Sequence, residues 1–249
     1  MIPLFDAYAG FGGHKPAARR AVRPEELSTE MARLTIGRAL VRIAPEELDS
    51  DFESSNETLL RACAQFEGLV PCPVVIPNTA GDALPEDEQV ETLLTRGAGA
   101  VCLRPKRDHW ILSEWVSGAL FRALQARKVP VFCKEEQVPF QQVAKLAGRY
   151  PELPIILAET GYRSQRVVLP LLKTFANVHL STGGAFSVHR GIEQLAREVG
   201  AERVLFGTGF PEAEPMAAVA QLTYAEIPDR QRQLIGSGNV ERLVGGIRR

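Results

Sequence analysis

Short, continuous apolar runs alternate with longer amphipathic stretches along this chain. The runs are IPLFDAY (2–8), RALVRIA (38–44), VPCPVVIP (70–77), AGAVCLRP (98–105), VPVFCKEE (129–136), LPIILAET (153–160), NVHLSTGG (177–184) and RVLFGTGF (203–210). Each is rich in Val, Ile, Leu or Phe and bounded by Gly, Pro or charge, the pattern of strands buried on both faces of a parallel sheet. Between the runs, apolar residues recur at helical spacing. The sets are Leu59, Leu60, Cys63 and Phe66; Trp115, Ala119, Phe121 and Leu124; Val143, Leu146, Ala147 and Tyr150; Val168, Leu171, Leu172 and Phe175; and Ile192, Leu195 and Val199. Pro170 is expected to kink or shorten its helix. Near the end, Ser237 or Asn239 offers a cap ahead of Val240, Leu243 and Val244.

Eight such alternations in 249 residues have the size and rhythm of a TIM-type (β/α)8 barrel, expected as one domain over 1–249. A doubly wound open sheet is the alternative, but no GxGxxG follows the first run. The stretch from His14 to Arg33 is the least regular and reads as a long first loop over the barrel mouth, or an excursion with a short helix. A hydrophobic content of 45% supports a large core. The formal net charge of -1 gives no footprint for nucleic acid or an anionic membrane. No run is long enough for a membrane helix. An acid within six residues of the start argues against a secretory leader, so a cytoplasmic location is the expectation. Cys63, Cys72, Cys102 and Cys133 are scattered without a CxxC pair and read as reduced, buried thiols.

The stretches IPLFDAYAGFG, RALVRI after LTIG, VPVFCKE, LPIILAETG, VLFGTGFP and IGSGNVERLV follow one another over nearly the whole chain. Together they resemble amidohydrolase family 2, the metal-dependent hydrolase, decarboxylase and lactonase barrels of the amidohydrolase superfamily. The resemblance implies the barrel and a hydrolase-class activity. It also implies a metal site that opens with Asp-x-His-x-His on the first strand. That pattern adds a His at the ends of the fifth and sixth strands and an Asp at the end of the eighth. Here those positions fall on Tyr8, Gly10, Lys134, Glu159 and Gly209; Asp6 is kept, but in the pattern it is not a ligand. A catalytic metal ion needs about three imidazole, thiolate or carboxylate ligands. Of the five positions only Glu159 could still serve, so the expectation is no metal and no cofactor. His14, His109, His179 and His189 form no HxH or i, i+4 pair. A rebuilt site from Glu159 with Asp6, His189 or His14 is the competing reading.

Lys134 and Glu159 end adjacent strands at the face where barrel active sites are built, and two such charges are expected to pair. As catalytic candidates, Lys134 would polarise a carbonyl and Glu159 would act as a general base. Tyr8, Arg42, Arg104, Arg163 and His189 are the substrate-binding candidates, with Arg forks suited to a carboxylate. Lys106 is expected on the surface, and His179 as a core histidine. Trp110 and Trp115 are expected to pack at the outer layer or an interface, and Ser164 is a candidate helix cap. Two functions follow. One is a metal-independent hydrolase of a small anionic, carboxylated ester or lactone; the other is a non-catalytic barrel that binds a ligand or a protein. The partner is a small anionic molecule rather than nucleic acid or membrane, and a homo-oligomer stays open.

Overall fold

The computed structural model describes residues 2–14, 21–43, 52–183, 186 and 188–249, with the side chains of residues 13 and 14 outside that description. The chain runs β1 (Leu4–His14), β2 (Ala21–Val22), α1 (Pro24–Arg33), β3 (Ile36–Ile43), α2 (Phe52–Cys63), β4 (Leu69–Pro71), α3 (Glu86–Thr95) and β5 (Val101–Cys102). It continues α4 (Glu114–Ala126), β6 (Val131–Lys134), α5 (Phe140–Arg149), β7 (Ile155–Ala158), α6 (Gln165–Thr174), β8 (Val178–Ser181), α7 (Gly191–Glu198) and β9 (Val204–Leu205). Three helical pieces close it: α8 (Pro215–Thr223), α9 (Asp229–Gln233) and α10 (Asn239–Gly245), the last two joined by a π turn over Leu234–Gly238.

All strands but β2 pair in parallel, in the orders β1-β3-β4 and β5-β6-β7-β8-β9. A bridge between Val74 and Cys102 joins β4 to β5. The Ala7 N–H donates to the Phe206 carbonyl at 2.7 Å and the Gly209 N–H to the Tyr8 carbonyl at 2.8 Å, which joins β9 to β1. The result is a TIM-type (β/α)8 barrel, with each of the eight apolar runs in its wall. The short antiparallel β2 has no counterpart in the sequence pattern, because two residues leave no period to read. Helix α1 answers the expectation of a short helix in the first excursion; residues 15–20 lie outside the described residues.

Strand periodicity divides the core into two layers. Leu40, Phe132, Ile156, Ala158 and Leu205 fill the barrel, while their neighbours Val41, Val131, Cys133, Leu157 and Phe206 face the helices. In α4 the buried face is Leu120, Phe121, Ala123 and Leu124, so Trp115, 80% exposed, and Ala119 point to solvent rather than into the outer layer. Trp110 packs against the outer core as expected. Pro170 sits inside α6, which ends at Thr174. Neither Ser237 nor Asn239 is a cap. The π turn carries the helix through Ser237, and buried Asn239 donates from Nδ2 to the carbonyls of Ala201 and Val204, each at 2.8 Å.

Candidate active site at the barrel mouth

The inward period of each strand decides what reaches the mouth. On β3, Leu40 is followed two residues on by Arg42; on β6, Phe132 by Lys134; before and on β5, Ala100 by Cys102. Strand β1 breaks its period. Its register with β3 shifts between Asp6 and Ala9, so Ala7 and Tyr8 both join the inner layer while Ala9 and Phe11 face out. Such a bulge re-aims a side chain beside a site. Asp6 fixes it. Its carboxylate accepts the Tyr8 N–H at 2.8 Å, the Thr208 N–H at 3.0 Å and the Thr208 hydroxyl, tying the end of β1 to the segment after β9. Burial raises the Asp6 pKa above its ordinary value, against the pull of these hydrogen bonds.

Glu159 follows the inward Ala158, so strand alternation would turn it outward. Its backbone instead takes the left-handed conformation, φ 57°, which an L side chain adopts at a cost of about 1 kcal/mol or more. That turn delivers the carboxylate to the mouth. Glu159 Oε1 accepts from the Tyr8 hydroxyl at 3.0 Å, and Oε2 lies 3.0 Å from Lys134 Nζ. Arg42 Nη2 is 3.7 Å from Oε1 and 2.7 Å from Oε2 of Glu212, on the loop after β9. The Arg42 guanidinium also lies 4.3 Å from the centre of the Tyr8 ring. Burial works against the Arg42 charge, but the Tyr8 phenol, Glu212 and Glu159 more than offset it and raise its pKa. The Tyr8 phenol is pushed well above its ordinary pKa, chiefly by burial, and stays a donor.

Beside this cluster opens a cavity of about 320 Å³. Its wall includes Tyr8, Arg42, Arg104, Arg107 and Lys134, with Glu136 the one carboxylate among the described lining residues, and an apolar side of Leu59, Val74, Leu103 and Phe132. Asp108 holds Arg104 through two hydrogen bonds, at 3.0 and 3.1 Å. Arg42 differs: it is 5% exposed, and its Nε and Nη1 have no hydrogen-bond partner among the described residues.

Of the candidates read from the sequence, Tyr8, Arg42, Lys134 and Glu159 come together, and Arg104 lines the same cavity. Arg163 does not join them. It is exposed and donates from Nε to the Tyr162 hydroxyl at 3.0 Å, because the turn after Glu159 carries it away from the mouth. His189 is exposed on the turn before α7 and does not line the cavity. The His14 side chain lies outside the described residues. Ser164 stands at the N-cap position of α6, but its hydroxyl donates to Glu135 rather than to the helix backbone. Lys106 is exposed, as expected. His179 is a neutral core residue near the opposite ends of the strands: burial, then Arg203 and Arg242, push its pKa down to about 3. The sequence reading missed Glu212, which nothing in a loop sequence pairs with Arg42 in advance. It also missed Asn56, whose amide bonds both backbone groups of Val74 at 2.8 Å and steadies the wall.

These residues do not suit a divalent cation. A Cβ on Gly10 would stand 2.9 Å from the Arg42 carbonyl oxygen, so no ligating side chain fits there without a backbone shift. Gly209 adopts φ 71°, a left-handed conformation that any side chain in its place would take at a cost. An ammonium and a guanidinium already surround Glu159. Among the described residues no three His, Cys, Asp or Glu side chains gather in a way that could hold a metal ion.

Several solved structures share the architecture. An uncharacterized TIM-barrel protein from Bordetella bronchiseptica matches with a TM-score of 0.79 and 15% identity, over 98% of this chain and 99% of that one. A 2,6-dihydroxybenzoate decarboxylase from Rhizobium matches at 0.71 and 15%, over 98% and 99%. A probable 2-pyrone-4,6-dicarboxylic acid hydrolase from Acinetobacter baumannii, with citric acid bound, matches at 0.68 and 14%, over 98% and 100%. None of the curated proteins matches the sequence. At such identities the likeness concerns the fold. The family model for amidohydrolases, however, matches residues 9–246, from the bulged end of β1 through α10, and the chain belongs to that amidohydrolase family.

Proposed function

We propose that this chain hydrolyses a small ester or lactone that carries a carboxylate, using fixed cations where its relatives' pattern places a metal ion. Arg42 supports this reading most strongly. A buried guanidinium whose Nε and Nη1 carry three N–H donors with no partner among the described residues is costly, on the order of 1–3 kcal/mol for each unmet donor, unless a ligand takes them. A carboxylate is the planar acceptor that matches that edge. The cavity, about 320 Å³, is at the small end of ligand pockets and has an apolar side for the rest of the molecule.

The chemistry uses groups already in place. Lys134 gives one N–H to Glu159 and keeps two for a substrate carbonyl, whose oxygen gains negative charge as water adds. Glu159 takes the proton of the attacking water on a lone pair that Tyr8 and Lys134 leave open. It returns that proton to the departing alkoxide, which in a lactone stays on the product. Such a site suits an activated carbonyl; it supplies too little for an ordinary amide.

One observation favours a second reading, a barrel that binds carboxylates without turnover. Both Glu159 oxygens already accept hydrogen bonds, and Glu159 does not line the cavity. The experiment is hydrolysis of carboxylated lactones and aryl esters, with and without chelator, alongside calorimetric titration with the corresponding acids. Turnover that survives chelation and is lost in Lys134→Met and Glu159→Gln supports the hydrolase. Binding lost in Arg42→Met, with no turnover, supports the second reading. Turnover abolished by chelator overturns the metal-free mechanism, and absence of both binding and turnover overturns the carboxylate reading.

A further inference from the structure

Two cysteines that this mechanism leaves unused line the same cavity. Cys72 and Cys102 occupy inward positions on neighbouring strands, with their Sγ atoms 3.3 Å apart. Backbone holds them there: Cys102 bridges Val74, and its N–H donates to the Pro73 carbonyl at 2.8 Å. A disulfide has sulfurs about 2.05 Å apart, so closure asks for roughly 1.3 Å, shared between two side chains as a turn of about 20° in each χ1.

The two sulfurs differ in surroundings. Cys72 is buried, whereas Cys102 is partly exposed. The hydrogen bond from Cys72 leads in lowering the Cys102 pKa; Arg42, Arg104 and Lys134 add to it, against burial. Burial, first of all, pushes the Cys72 thiol well up. Cys63 and Cys133 serve as internal controls, each pushed up to about 12 by burial. A thiolate-prone, reachable sulfur beside a second thiol is the arrangement that reacts with peroxide and then resolves.

We propose that Cys72 and Cys102 are a peroxide-reactive dithiol on the wall of the mouth cavity, Cys102 the attacking sulfur and Cys72 the resolving one. The Cys102 thiolate attacks hydrogen peroxide. The O–O bond breaks, an S–O bond forms, and hydroxide leaves, giving a sulfenic acid on Cys102. The Cys72 sulfur then displaces the sulfenic oxygen, which departs with the Cys72 proton as water as the S–S bond forms. In sum, two thiols and one peroxide give one disulfide and two waters, with both sulfurs oxidised and the peroxide oxygens reduced. The site stands whatever reaction the cavity hosts, since it uses neither Glu159 nor the free edge of Arg42.

The test is a short hydrogen peroxide pulse on the reduced full chain, stopped with catalase and followed by alkylation and intact-mass measurement. The expected product has lost two hydrogens, about 2 Da, and alkylates at two of its four cysteines. Cleavage after Arg and Glu, which separates Cys63 from Cys72 at Glu67, should link the Cys72 and Cys102 peptides until reductant is added. Cys72→Ser should instead give a dimedone adduct on Cys102. Full alkylation at all four cysteines after the pulse, or a linkage through Cys63 or Cys133, would overturn the proposal. Wild-type mapping alone decides it if the serine variant fails to fold.

Discussion

The Lys134–Glu159 pair is the hinge of the mouth, and a double-mutant cycle measures it. At 3.0 Å, with an effective dielectric of about 20, two unit charges attract by about 5–6 kcal/mol. Desolvation and side-chain ordering offset much of that, because the two side chains are only 18% and 25% exposed. Lys134→Met leaves Glu159 with the Tyr8 hydroxyl and Arg42, so about 1–2 kcal/mol of stability should go. Glu159→Gln leaves Lys134 and Arg42 facing each other with Glu212 alone to balance them, and should cost about 2–4 kcal/mol. The double variant has lost both charges of the pair, so the coupling term should be about 1–3 kcal/mol in favour of the pair. Urea unfolding of the four proteins at neutral pH reads this, with equal slopes as the check that the denatured states are comparable. Repeating the cycle at high salt should change the coupling little, since a half-enclosed pair is poorly screened. A coupling below about 0.5 kcal/mol, or one that vanishes in salt, would refute the view that these charges hold each other in the fold.

Other consequences are as direct. Asp6→Ala strands two buried backbone N–H groups and should lower stability by about 3–6 kcal/mol, a fall in Tm of roughly 10 °C or more by calorimetry. Asp6→Asn keeps an acceptor oxygen and should cost less. Because burial raises the Asp6 pKa above its ordinary 3.8, the folded state holds more protons than the unfolded chain just above that pH. The Asp6 contribution is therefore full below 3.8 and is lost as pH rises through the folded value, so wild type minus Asp6→Asn stability should fall with pH across that window; a rise would refute the sign. Gly10→Ala forces a Cβ to within 2.9 Å of the Arg42 carbonyl oxygen and should cost about 1–3 kcal/mol, read in urea. Arg163→Ala, exposed and outside the cavity lining, should leave carboxylate affinity in a calorimetric titration unchanged.

The barrel was legible because its strands are buried on both faces. Runs such as LPIILA have no polar residue to place on an outer surface, and that leaves few architectures. The mouth was only partly legible. Arg42 and Lys134 could be placed because each follows an inner-layer residue by two on an unbroken strand. Tyr8 reaches the mouth through the bulge that Asp6 holds, and Glu159 through a left-handed turn; both break the period that the reading used. The expected pairing of Lys134 with Glu159 rested on their adjacency alone, and the geometry bears it out. Arg163 failed for the complementary reason: once Glu159 turns inward, the chain beyond it leaves the mouth. Trp115 and Ala119 lie off the buried face because a loose spacing on α4 fits more than one helical face, and Leu120, Phe121 and Leu124 settle which face is buried.

What the rebuilt strand ends can do follows from how their charges are held. A divalent ion makes a nucleophile by drawing the proton off its bound water, and it can exchange ligands during a reaction. Lys134 and Arg42 can do neither. They can only stabilise negative charge that forms where their N–H groups already point, and that stabilisation is large only if the groups do not reorganise. Glu159, Tyr8 and Glu212 supply that rigidity: Lys134 is held by Glu159, and Arg42 by Glu212 and the Tyr8 ring. In the proposed reaction Arg42 would meet a preformed anion and Lys134 a developing one. A molecule with a carboxylate at one end and an acidified leaving group at the other would use both, whereas a neutral amide would use neither well.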